Sequence, residues 1–188
     1  MHLFYTETEI KNQILRVAGE IVTDYAGKRP LIVAVLRGSM FFASDLTRAV
    51  SRIQADRGAN LKTEIDVTTV SSYKHGVKSG DLKLVQDVDS SVEGRDILVV
   101  EDILDSGRTL KFLCDYYRMR NAKSIEVAVL IRKKRATVVG TGDPKYVCFN
   151  YKDDDFLMGF GLDNKGYERN LPEIYKMEES DIKASPGA

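Results

Sequence analysis

The chain's most chemically suggestive stretch is a carboxylate pair, Glu101-Asp102, followed by the turn Asp105-Ser106-Gly107-Arg108-Thr109. Adjacent carboxylates suit vicinal sugar hydroxyls, or a divalent cation held between them. The turn is small and hydroxyl-rich, and a helical pattern starts directly behind it. The free N–H groups of a helix start, reinforced by the helix dipole, favour a phosphate. Gly107 lets backbone come close to such an anion, and Ser106 and Thr109 add hydroxyl donors. Together they describe a site for a sugar phosphate, with the sugar over the acids. Either half alone is ordinarily an acidic strand end or an Asp or Ser helix cap. Their conjunction behind a buried strand is what carries the reading. The G-x-x-x-x-G-K-[ST] spacing of a nucleotide-binding P-loop is absent.

Regular elements are needed to place these groups. Ile97 to Val100 is an apolar run that fits a strand buried on both faces, and the acids follow where it should leave the core. Leu110, Leu113, Cys114 and Tyr117 then recur at helical spacing. Leu31 to Leu36 reads as a second buried strand, ending in Arg37-Gly38-Ser39 before a helix with Phe42, Leu46, Val50 and Ile53 in register. This basic, glycine-containing turn is a second place for an anion to meet backbone N–H groups, although a plain strand-to-helix turn is the simpler reading of it. Thr6-x-x-Glu9 has the form of a capping box and opens a helix with Ile10, Ile14, Val17 and Ile21 on one face. Residues 64 to 73, Ile125 to Ile131 and Lys145 to Tyr151 supply further strands, and Asp153-Asp154-Asp155 reads as a solvated turn. The expected fold is α/β: a parallel twisted sheet flanked by helices, with ligands at the carboxyl ends of its strands.

The 188 residues suffice for one such domain, spanning 1–188, with a loosely ordered tail after about Met177. The 28 basic and 28 acidic residues cancel, so no overall field draws in nucleic acid or anionic membrane. No apolar run long enough to span a bilayer and no signal-peptide pattern is present. Cys114 and Cys148 have no disulfide-framework spacing, which suits a reducing cytoplasm.

Val99 through Leu110 resembles the phosphoribosyl-pyrophosphate (PRPP) signature of the type I phosphoribosyltransferases, and in detail that of the hypoxanthine-guanine phosphoribosyltransferases. The resemblance extends over nearly the whole chain. It implies the type I phosphoribosyltransferase fold, with a core over about 25–150 and a small hood from about 1–10 and 151–180. It also implies purine salvage: transfer of the 5-phosphoribosyl group from PRPP to N9 of a 6-oxopurine, with Mg²⁺ as cofactor. Glu101 and Asp102 would hold the ribose hydroxyls and the metal, and residues 105 to 109 the 5′-phosphate. Asp105 would be the catalytic base. Val35-Leu36-Arg37-Gly38 resembles the family's pyrophosphate loop, in which the peptide matching Leu36–Arg37 is often cis. Ser72-Tyr73 and the polar segment behind them resemble a lid that keeps water from the electrophilic sugar.

Lys133, within Arg132-Lys133-Lys134-Arg135, aligns with the lysine that donates to the purine 6-oxo group. Such a cation leaves adenine's amino group unmatched. Read without the family, the same four residues are an ordinary solvated patch. Phe156 to Asp163 resembles the base-binding segment: Phe156 would stack on the purine, Leu157 would read its edge through backbone, Asp163 would hold Mg²⁺, and Arg169 would reach the pyrophosphate. A plain core aromatic is the simpler reading of Phe156. Family members usually associate, as dimers or tetramers. The competing class is a PRPP-sensing regulator that binds nucleic acid. Only about one helix precedes the first expected sheet strand, and Arg132 to Arg135 is the one candidate basic face. Among enzymes, the runner-up is a relative selective for xanthine or guanine.

Overall fold

The computed structural model describes residues 1–72, 82–133 and 143–177. The chain runs through β1 (His2–Tyr5), α1 (Glu7–Asp24), β2 (Leu31–Leu36), α2 (Met40–Arg57), β3 (Glu64–Ser72), β4 (Leu82–Gln86) and β5 (Asp96–Leu104). It continues through α3 (Arg108–Met119), β6 (Ser124–Lys133), β7 (Tyr146–Tyr151), β8 (Leu157–Met158) and β9 (Ile174–Lys176). The capping box at Thr6 is formed: its hydroxyl accepts from the Glu9 amide at 3.2 Å, and Glu9 accepts from the Thr6 amide at 2.8 Å.

Six strands form the main sheet in the order β4-β3-β2-β5-β6-β7, all parallel except β4, which runs antiparallel to β3. Both faces are covered. On one, Ile14, Val17 and Ile21 of α1 and Phe42, Leu46 and Val50 of α2 share a core with Ile32, Ala34, Leu98 and Val100. On the other, Leu110, Leu113 and Tyr117 of α3 share a core with Leu31, Val33, Ile97 and Val99. Strands covered on both sides need apolar residues at every position, which is why β2 and the first half of β5 read as unbroken hydrophobic runs.

The carboxylate pair sits differently from the sequence expectation. β5 does not end at Val100 but runs on to Leu104, so Glu101 and Asp102 lie within the strand. β6 supports this extension, with Glu101 opposite Val129 and Leu104 opposite Arg132. β2 stays in register with β5 only as far as Ala34 opposite Val100. Beyond that point the two strands part. The chain leaves β2 toward β3 on one side and β5 toward β6 on the other, so this opening is the topological switch point of the sheet, where α/β folds bind ligands.

A second, three-stranded antiparallel sheet, ordered β1-β9-β8, joins the first residues of the chain to segments after Tyr151. Tyr73 and the rest of the expected lid, Lys134 and Arg135, and the tail after Met177 lie outside the described residues. Among the described residues no helix is long and apolar enough to cross a membrane.

Candidate active site

A cleft of about 260 Å³ fills the opening between β2 and β5. The end of β2 contributes Val35, Leu36 and Gly38; β5, the following turn and the first turn of α3 contribute Glu101 through Leu110. Neither Asp105 nor Ser106 caps α3. The cap is Gly107, at φ 71°, and it makes no side-chain hydrogen bond to the first turn. The left-handed backbone at Gly107 turns the chain sharply into the helix, a geometry that glycine adopts without a Cβ penalty. The leading amides of α3 are therefore left for a ligand, rimmed by the exposed Asp105, Ser106 and Arg108 and the half-buried Thr109.

The Leu36–Arg37 peptide is cis. Gly38 lines the cleft, whereas Arg37 is exposed and is not part of its wall. Ser39 is fully buried, and its hydroxyl donates to the Val35 carbonyl at 2.7 Å, which fixes the start of α2. A Cβ on Gly38 would lie 1.8 Å from Oδ2 of Asp102, so the two strand ends touch here through a residue that has no side chain.

Glu101 and Asp102 are each only 8% exposed. Burial, and then the neighbouring Asp102 charge, pushes the Glu101 carboxyl well above the usual carboxylate range. Burial also raises Asp102, against hydrogen bonds from Glu101 and the Ile103 amide and the nearby charge of Arg169. Two acids this close and this buried oppose each other's ionisation, a cost that a cation or a set of hydroxyl donors would offset.

The segment after β8 closes over this end. A Cβ on Gly161 would lie 2.0 Å from the Gly38 carbonyl oxygen, so its backbone rests directly on the β2–α2 turn. Arg169 donates to the Gly161 carbonyl and to Oδ1 of Asp163, the latter at 2.7 Å. The other Asp163 oxygen accepts from the Gly166 amide at 2.7 Å. Arg169 is thus brought close enough to the acid pair for Asp102 to feel its charge, with Asp163 held against it. Among the described residues no three carboxylate, histidine or cysteine groups converge on one point. The donor set is all oxygen, and Arg169, whose charge reaches Asp102, is itself paired with Asp163. It therefore fits a hard divalent cation carried in largely by a polyphosphate, rather than one caged by protein ligands.

The base-recognition candidates lie at the end of β6 and at the start of β8. Lys133 is 8% exposed and sits opposite Tyr151 in the sheet. Leu157 is buried in β8, but the adjoining Phe156 is 43% exposed. That exposure removes the core-aromatic reading of Phe156 and leaves its ring open to a planar partner. Ser72 ends β3. One residue was misjudged from sequence: Asp155 is not part of a solvated turn. It accepts a hydrogen bond from the Tyr151 hydroxyl and pairs with Lys176 at 2.6 Å. No local pattern could have signalled this, because Lys176 is distant in sequence and reaches Asp155 only through the pairing of β8 with β9.

The family model of the phosphoribosyl transferase domain matches residues 4–165 of the chain. A hypoxanthine-guanine phosphoribosyltransferase of Streptococcus agalactiae is 39% identical over 178 residues, covering 94% of this chain and 93% of that protein. The structure is similar to that of a hypoxanthine phosphoribosyltransferase from Staphylococcus aureus, with TM-score 0.83 and 32% identity over 95% of this chain and 92% of the other. It is equally similar to the Trypanosoma cruzi hypoxanthine phosphoribosyltransferase in complex with the product IMP, with TM-score 0.83 and 31% identity over 95% and 94% of the two chains. With an uncapped, glycine-initiated helix beside a buried acid pair at the switch point, and with these likenesses over nearly its full length, the chain belongs to the phosphoribosyltransferases, in their hypoxanthine-guanine branch.

Proposed function

We propose that the protein transfers the 5-phosphoribosyl group of PRPP to N9 of hypoxanthine or guanine, releasing pyrophosphate and forming IMP or GMP, with Mg²⁺. The observation that carries this reading is the single cleft that joins a phosphate cradle at α3 to the buried acid pair of β5. The 5′-phosphate binds the leading amides of α3 with Ser106 and Thr109, which places the ribose over Glu101 and Asp102. The ribose hydroxyls donate to these carboxylates. Glu101, Asp102 and Asp163 are the groups that would hold Mg²⁺, which neutralises charge on the departing pyrophosphate when bound. The β2–α2 turn at Gly38 and the Arg169 guanidinium flank the same end, where pyrophosphate leaves C1. Phe156 stacks on the incoming purine, and Lys133 donates to its 6-oxo group. As the C1–oxygen bond breaks, N9 attacks C1, and Asp105 takes the proton from N7.

Removing the Lys133 cation tests the assignment of the base. In Lys133→Ala the KM for hypoxanthine rises by about tenfold or more, the loss of one charged hydrogen bond. The KM for PRPP stays within about twofold. Equal losses for the two substrates, measured in steady-state kinetics, would contradict the placement of Lys133 at the base.

A further inference from the structure

Asp155 carries more structure than a turn residue needs. Its carboxylate joins three separate parts of the chain: its own segment leading into Phe156, the end of β7 through the Tyr151 hydroxyl, and β9 through Lys176 at 2.6 Å. Tyr151 is the sheet partner of Lys133, and Lys176 is the sheet partner of Leu157. The groups that Asp155 ties together are therefore the immediate neighbours of the base-recognition candidates Lys133, Phe156 and Leu157.

We propose that Asp155 is a positioning residue for base recognition: by bridging Tyr151 and Lys176 it fixes the height of the Phe156 ring relative to the Lys133 ammonium. This rests on the base-binding reading given above. The carboxylate is held below the usual range first by Lys176 and then by Tyr151, and the charge of Lys133 contributes as well, so Lys133 lies within its field. The Phe156 side chain is substantially exposed, and its backbone is anchored through its carbonyl, which accepts from the Met177 amide at 2.9 Å. A rigid bridge one residue earlier is what keeps a half-exposed ring in one place before the purine arrives.

A merely structural role predicts a different pattern. Asp163 and Arg169 hang from the same C-terminal segment and serve the pyrophosphate end. Loosening that segment as a whole would damage both ends, whereas loss of positioning at Asp155 damages the base end alone.

The test compares IMP with ribose 5-phosphate, which lacks the base, by titration calorimetry on the full chain. The wild type binds IMP more tightly. In Asp155→Asn, IMP binding weakens by about tenfold, while ribose 5-phosphate binding and the kcat at saturating base stay within about twofold. Asp155→Glu, which keeps the charge, recovers most of the loss. Equal IMP affinity in wild type and Asp155→Asn would overturn the positioning role and leave the base reading intact. So would parallel weakening of both ligands, which is the signature of a loosened segment. A wild type that binds IMP no better than ribose 5-phosphate would instead overturn the base reading, and this inference with it.

Discussion

Asp105→Asn retains PRPP and purine binding within about twofold but lowers kcat by about 10²–10⁴-fold, the usual worth of a positioned general base. The reason is geometric. Asp105 is exposed on the rim of the cleft, at the corner between the end of β5 and the Gly107 turn, beside the acids proposed to orient the ribose. The cradle beneath it is made of backbone amides and a glycine, which the substitution does not touch. Asparagine preserves shape and can still hydrogen-bond, but it cannot accept the N7 proton. Single-turnover measurements separate binding from chemistry, and an unchanged chemical step in Asp105→Asn would remove Asp105 from the role of base.

Gly38→Ala should be nearly as damaging, through contact rather than backbone freedom. The new methyl would lie 1.8 Å from Oδ2 and 2.5 Å from Cγ of Asp102, so the carboxylate has to move. Asp102 is buried and cannot turn outward without disturbing β5. Two ribose hydroxyls lose charged hydrogen bonds worth about 1.5–3 kcal/mol each, so kcat/KM for PRPP falls by about 10²–10⁴-fold. Gly94→Ala is the control. Gly94 has φ 70° with nothing within 4 Å of the added methyl, so only a backbone penalty of about 1 kcal/mol falls on stability and kinetics are unaffected. If Gly38→Ala kept its activity toward PRPP, the contact between the β2 and β5 ends would not be functional.

The α/β architecture was legible because its signals are local and strong. The apolar runs of β2 and β5 and the helical spacing of Leu110, Leu113 and Tyr117 each announce an element buried on a known face. The acid pair and the turn at Gly107 were legible as chemistry for the same reason, since ten consecutive residues, Glu101 to Leu110, build most of the cleft wall. The end of β5 was not legible. Glu101 and Asp102 look like a strand leaving the core, and only the neighbouring β6, continuing alongside, keeps them in the sheet. β4 was missed because its alternation is weak and its pairing with β3 is tertiary. β8 and β9, of two and three residues, are shorter than any periodicity can register, and they exist because they pair with each other and with β1. The bridge at Asp155 depends on that pairing and was invisible for the same reason.

The decisive measurement is nucleotide formation from PRPP and Mg²⁺ with hypoxanthine, guanine, xanthine, adenine and uracil offered separately. The proposed function calls for turnover of hypoxanthine or guanine and none of adenine, because the Lys133 ammonium would pair with a 6-oxo group but not with a 6-amino group. Turnover of adenine at a comparable rate would contradict the base assignment. No turnover of any base, in a protein that still binds PRPP, would contradict the enzyme itself and point to a PRPP-sensing regulator.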